Sequence, residues 1–355
     1  MDQLHQNDFI RSLRSEVNQY FKINKIDKKA NLNMYIKTIF MMSLYLIPYL
    51  LMVFGFANST TLLILTWLFM GLGMAGIGMC VMHDGNHNSF SNSKHINKMM
   101  GFTLQMLGGT YKNWQIQHNK LHHKFTNIIN HDPDVKPIKL LRFSPDSPYK
   151  KIYRFQFIYA WFLYGLMTFS FSTIKEFKQL VEWKDSGVIL INEYRQLMLE
   201  LIGWKLMYYF FILIIPLYTL DITLMQWFGL FFLMHFVAGF ILALIFQTAH
   251  IVPDCKHLDL PEKMDVNSWA INQVLTTSNY APNSGLFSWF IGGLNYQIEH
   301  HLFPGVCHVH YASISEIVKR KTQEYGLPYN CQPTFFSAIF EHAKMLYRLG
   351  VKPNR

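Results

Sequence analysis

The sequence predicts an all-α integral membrane protein: four transmembrane helices in two hairpins, with a helical cap on one side of the bilayer. Three observations predict it. First, of 355 residues 51% are hydrophobic and only 15% are Asp, Glu, Lys or Arg, against ~25% charged residues in soluble domains. Second, four apolar runs, at about 38–57, 61–82, 201–220 and 222–249, are long enough to cross a ~30 Å hydrocarbon core. Third, the basic residues flank these runs rather than enter them. A net charge of +10 on that arrangement suits a membrane surface and not a nucleic acid.

In chain order, Phe9, Leu13, Val17 and Phe21 recur at helical spacing. They predict an amphipathic helix in the N-terminal segment 1–37, lying on the membrane or docked on the cap. Residues 1–33 are too charged for a cleaved signal peptide. The first two runs are joined only by Asn58–Thr60, which forces an antiparallel hairpin. Gly71, Gly73, Gly76 and Gly78 crowd the second run. Small residues there serve close helix packing, with access for a substrate as the alternative. Residues 155–174 form a further uncharged run. The third spanning run is interrupted by Lys205, a lysine placed to snorkel to the interface. The fourth contains His235. It is a candidate for lining a substrate tunnel, and a hydrogen bond to another helix is the alternative. Cys80, Cys255, Cys307 and Cys331 form no CxxC pair and read as reduced thiols, not a disulfide framework.

Parity and charge decide which runs cross. With two hairpins, all 32 Lys and Arg fall on one side: seven in 1–37, sixteen in 83–205 and nine in 250–355. The opposite turns hold only Asp221. The positive-inside rule then places both termini and the cap in the cytoplasm, at the inner membrane if the source is bacterial. A crossing by 155–174 would move Lys175, Lys178, Lys184 and Arg195 outside, so that run reads as an interfacial or re-entrant helix.

The same parity gathers the histidines. There are 16. His83 and His87 leave the second span, and His118, His122 and His123 follow. On an α-helix His118 and His122 share a face, with His123 one step round the axis. His300 and His301 lie far downstream, and His250 ends the last span. Eight imidazoles exceed one metal's needs and suit two five- or six-coordinate ions. Imidazole without thiolate argues against structural zinc and for an oxygen-binding redox metal, most simply iron. Asp84 and Glu299 adjoin candidate ligands, and Asp132, Asp134 and Asp254 lie near others. Such carboxylates can orient the ring N–H groups from behind, with surface solvation or a turn as the alternative. His5, His95, His257, His308, His310 and His342 lack partners at ligand spacing, and His131 opens a polar turn.

These motifs, HDGNH at 83–87, HNKLHH at 118–123 and QIEHH at 297–301, with GGLNYQIEHHLFPG around the third, resemble the membrane fatty acid desaturases. The resemblance covers about residues 38–315, leaving 316–355 as a C-terminal tail. It implies an enzyme with two iron ions that uses O2 to introduce a double bond into a fatty acyl chain. The chain would be carried as acyl-CoA or acyl-lipid and held within the membrane lipid. The implied ligands are His83, His87, His118, His122, His123, His300 and His301, with His250 as the additional ligand after the last span. Gln297 resembles the front-end group, which desaturates between an existing double bond and the carboxyl end. In the parent pattern of the family this position is a histidine, and Gln297 is expected to act by hydrogen bonding behind the ligands or through a water, with direct ligation or a purely packing role as the alternatives. The chain has no HPGG motif, the mark of a fused cytochrome b5 domain. A separate electron donor, of ferredoxin or cytochrome b5 type, is therefore expected. A fatty acid or sphingolipid hydroxylase of the same superfamily is the alternative activity. A non-catalytic receptor or metal transporter is the alternative of another class.

Overall fold

The computed structural model describes residues 8–135, 140–261 and 264–351; His5 lies outside them. Among the described residues four helices are long and apolar enough to cross a membrane: Leu32–Val53, Thr60–Asn86, Ile191–Thr219 and Leu224–His250. They form the two expected hairpins, but their ends are not where the charges begin. The first starts at Leu32 because the Asn31 side chain accepts a hydrogen bond from the Met34 amide. The second starts where Ser59 accepts from Leu62. The fourth opens on a reciprocal cap between Thr223 and Gln226. Side-chain caps satisfy the first free N–H groups of a helix wherever they sit. The third helix, which opens at Leu190 without a side-chain cap, begins ten residues before its apolar run and carries Glu193, Arg195 and Glu200.

Glycine sets the spacing within the bundle. A Cβ on Gly73 would lie 2.6 Å from the Tyr45 amide nitrogen, and one on Gly71 would lie 2.7 Å from the Met234 carbonyl oxygen. The second helix is thus clamped between the first and the fourth, which is the packing role. Gly78 differs, since its added Cβ would meet only Leu242, at 3.5 Å.

The 155–174 run lies in a helix pair, Lys151–Gly165 and Met167–Asp185, bent by 56°. The pair has enough apolar length to cross only if both halves are taken as one broken span. It packs against the fourth spanning helix where Gly239 meets the Gly165 carbonyl. Lys205 does not snorkel. It is buried, paired with Glu176 at 2.7 Å, and donates to the carbonyls of Gly108 and Phe171. A neighbouring carboxylate and two free carbonyls offered it more inside than the interface did.

The cap consists of short helices and a two-residue parallel pairing of Asn279–Tyr280 with Cys331–Gln332. The N-terminal helix Phe9–Asn24 buries Phe9, Leu13, Val17 and Phe21. It packs them with Val274, Ile314 and Val318 of the cap, so it docks on protein.

Candidate metal centre

Each histidine motif lies on a helix end that feeds one buried point. The second spanning helix passes through a π turn, Ile77–Val81, into Met82–Asn86. There the rings of His83 and His87 stand 4.7 Å apart.

The second motif departs from the expected winding. Gln115–His122 is a π-helix, and the His123 amide donates to the His118 carbonyl five residues back. A π turn holds more residues than an α turn, so positions five apart share a face. The Nε2 atoms of His118 and His123 accordingly lie 3.1 Å apart. His118, stacked on Trp114 at 4.3 Å, pairs with His123 across the turn. His122 turns its Nδ1 to both oxygens of Asp132, at 3.1 Å each. Trp269 donates to the His123 carbonyl, which is free because the helix ends at Phe125.

The third motif is the short helix Gln297–Leu302. Adjacent residues on it project ~100° apart, so His300 and His301 face different groups. His300 joins His83, His87 and His118, and His301 joins His122 and His250. In each group the ring nitrogens lie within 4.8 Å of one another. His123 stands between the groups, with its Nε2 3.0 Å from that of His300, and it also clusters with His301. The eight residues singled out in the sequence are thus all brought together.

Whether the rings fit metal ions can be tested on their outer nitrogens. His122 Nδ1 is held by Asp132 and His250 Nδ1 by the Thr276 carbonyl at 3.3 Å. His300 Nδ1 lies 3.2 Å from the Tyr311 hydroxyl, and His301 Nδ1 lies 2.8 Å from Gln273 Oε1. The Nε2 atoms of His83, His87, His122, His250 and His301 are buried without a hydrogen-bond partner. Buried polar atoms are ordinarily paired. His122, His250 and His301 are fixed at Nδ1 with Nε2 free, which is how metal-binding histidines are held, whereas both nitrogens of His83 lack a partner. Burial also lowers the pKa of His87, His118, His123, His300 and His301, leaving them as neutral rings with a lone pair to give. At His122 burial opposes the charge, but Asp132 and Asp134 raise the ring to about 9. A bound cation would compete with that proton. The residues present fit a pair of histidine-bound metal ions.

The carboxylates behave less uniformly than expected. Asp132 backs His122, and Asp134 lies 3.4 Å from the same nitrogen. Asp84 lies 3.7 Å from His83, beyond a hydrogen bond. Its Oδ2 instead meets His308 Nδ1 at 2.9 Å and Cys307 Sγ at 3.0 Å. His308 is in turn 2.7 Å from Lys37 Nζ. Glu299 corrects the expectation outright. It accepts from Asn279 at 2.8 Å and Tyr329 at 2.9 Å, because two residues before His301 on a helix is the opposite face. Asp254 accepts from Gln332, away from the rings. Gln297 is fully buried, with both amide atoms unpartnered.

His235 stands apart from the cluster. Its Nε2 lies 2.8 Å from the Tyr208 hydroxyl and its Nδ1 3.1 Å from Thr168 Oγ1, so it ties three membrane segments together. Sequence spacing missed His308, Tyr311, Gln273 and the Thr276 carbonyl. Only the fold brings Tyr311, Gln273 and the Thr276 carbonyl behind the rings and His308 against Asp84, and no local pattern marks them.

Beside the rings lies a cavity of about 160 Å³. His118, His122 and His250 line one part of it, and Met74, Gly78, Leu104, Leu107 and Phe246 line its apolar part.

Residues 59–333 match the family model described as fatty acid desaturase. The chain is 30% identical over 346 residues to the sn-1 linoleoyl-lipid 6-desaturase of Arthrospira platensis, covering 97% of this chain and 93% of that protein. It is 32% identical over 349 residues to the sn-1 linoleoyl-lipid 6-desaturase of Synechocystis sp., at 96% and 95% coverage. It is 34% identical over 349 residues to the acyl-lipid (8-3)-desaturase of Physcomitrium patens, covering 97% of this chain and 72% of that protein.

Proposed function

The chain belongs to the fatty acid desaturase family and is an oxidoreductase of fatty acyl chains, and from that premise we propose that it is an O2-dependent, front-end acyl-lipid desaturase with two iron ions. The observation that carries this reading is the pair of histidine groups meeting at His123, with unpartnered Nε2 atoms facing inward. The proposed ligands are His83, His87, His118, His122, His123, His250, His300 and His301. Asp132, Gln273, Tyr311 and the Thr276 carbonyl hold four of those rings from behind.

The chemistry that bound iron supplies is the activation of O2 for removing two hydrogens from neighbouring methylenes. In balance, those two hydrogens, two electrons and two protons reduce O2 to two waters. The residues themselves position and exclude. The apolar side of the cavity holds an extended chain and keeps water off it, while His118, His122 and His250 border the same space.

The carrier is proposed to be a glycerolipid rather than CoA. That choice is supported by the relatives' names, which specify linoleoyl-lipid and acyl-lipid. The front-end assignment is supported by Gln297 in the third motif and by a name that places the new bond at position 6. The names of these relatives lend no support to the hydroxylase reading. The cap and both termini are assigned to the cytoplasm on the distribution of Lys and Arg. That basic face would steer an acidic electron donor of ferredoxin or cytochrome b5 type.

The test is expression in a host with a simple lipid profile, supplied with linoleate, followed by mass spectrometry of the intact lipids. The expected product carries one added double bond on the carboxyl side of the existing ones, in a glycerolipid. A hydroxylated chain, or a product found only as acyl-CoA, would overturn the reading.

A further inference from the structure

A second cavity, of about 420 Å³, lies behind the first. The wall between them is the 3-10 segment Thr103–Leu107. Three residues per turn put Leu104 and Leu107 on one side, where they line the cavity at the rings. Gln105 and Met106 fall on the other side and line the second cavity. Its remaining walls come from Phe102 and from the first and third spanning helices, among them Tyr45, Tyr49, Trp204 and Tyr208. Leu50, Met207 and Phe211 line it too and are exposed on the outer surface of those helices. In a bilayer that surface meets lipid, so the cavity is reached from the hydrocarbon.

Gln105 is the anomaly in it. The residue is 5% exposed, and neither its Oε1 nor its Nε2 has a hydrogen-bond partner. The tyrosine hydroxyls in the walls are committed elsewhere: Tyr45 to the Met106 carbonyl, Tyr49 to the Phe211 carbonyl, and Tyr208 to His235. An amide left unpaired in apolar surroundings is costly, and a polar side chain in a membrane segment marks a site.

We propose that this cavity binds a free long-chain fatty acid in its protonated form, taken from the bilayer, with Gln105 as the recognition group. A primary amide offers one acceptor and one donor side by side. A protonated carboxyl group offers the complement, an O–H and a C=O, and closes two nearly straight hydrogen bonds with it. The ester of an intact bilayer lipid accepts but cannot donate, so it leaves Oε1 unpaired. A carboxyl group drawn into apolar surroundings keeps its proton, so no counter-charge is needed in the wall. The site is separate from the acyl cavity and does not depend on the carrier or the bond position proposed above.

The test is binding, measured on the iron-loaded protein in lipid nanodiscs at mildly acidic pH. The probes are a diazirine-bearing long-chain fatty acid and its methyl ester. The wild type is expected to hold the acid about tenfold more tightly than the ester. The cross-links should fall in the segments around Tyr45–Leu50 and Trp204–Ile212. In Gln105→Met, which keeps length and removes the amide, acid and ester should bind alike. Equal binding of acid and ester by the wild type would overturn the proposal. So would cross-links confined to Leu242–Ile251, or an acid preference that survives in Gln105→Met. If Gln105→Met does not fold, the acid-to-ester ratio and cross-link positions in the wild type decide the matter alone.

Discussion

The Nε2 atom of His123 lies 3.1 Å from that of His118 and 3.0 Å from that of His300, and its ring stacks on His301 at 4.4 Å. One residue therefore stands between both histidine groups, whereas His250 touches only the group of His122 and His301. The two should differ on removal. His250→Ala is expected to keep about one iron per chain and His123→Ala well below one, with desaturation abolished in both. His95→Ala, an exposed control, should keep two irons and full turnover. Metal analysis of the purified variants measures this; equal iron in His123→Ala and His250→Ala would sink the assignment of His123.

How much of this was legible beforehand depended on the range of the signal. The spans were readable because twenty apolar residues are a local, additive feature, and parity then forced the histidines to one side. The helix ends were not, since caps such as Asn31 and Ser59 act through single hydrogen bonds. That the eight histidines cluster was readable from residue type and from their falling on one side of the spans. Their full arrangement was not, because the π winding at 115–122 adds an i,i+5 pair, His118 with His123, to the expected i,i+4 pair of His118 and His122. The groups behind the rings divide the same way. Asp132, ten residues from His122, could be named, but Gln273 and Tyr311 reach His301 and His300 only through the folded cap.

Asp132 provides a direct test of ring orientation. It contacts His122 through both oxygens and also accepts from the Asn127 and Asp134 amides. Asp132→Asn keeps the shape and removes the charge. Partners of this kind typically account for 10–100-fold in metal affinity or activity, roughly. A drop of that size is expected in iron affinity, measured by competition with a chelator. Unchanged affinity would reduce Asp132 to a loop-holding residue.

The glycines of the second span should separate by role. A Cβ on Gly73 would meet the backbone of Tyr45 and Leu44 at 2.6 and 2.8 Å. Backbone cannot yield as a side chain can, so Gly73→Ala should cost about 1–3 kcal/mol, read as a lower midpoint of thermal unfolding. Gly78 lines the acyl cavity and has room for a methyl group, so Gly78→Ala should fold and turn over normally. Gly78→Phe should fold yet lose turnover on long chains, because its ring fills the space the chain needs. If Gly78→Phe kept wild-type turnover, the acyl chain would have to lie elsewhere.

Gln297 is the sharpest remaining question at the rings. On the helix Gln297–Leu302 it lies four residues before His301, so the two share a face. It is fully buried and both amide atoms lack a partner. An amide is a weak metal ligand but carries two donor hydrogens and an acceptor oxygen. It therefore suits hydrogen bonding to a water or a reacting group better than ligation of a metal ion. Gln297→Ala is expected to bind two irons and to turn over roughly 10–100-fold more slowly, whereas His301→Ala should lose iron. Gln297→His, which restores the parent pattern of the family, should keep both irons. Iron content and turnover of the three purified variants separate the possibilities. Loss of iron in Gln297→Ala equal to that in His301→Ala would make Gln297 a ligand, and unchanged turnover would leave it a packing residue.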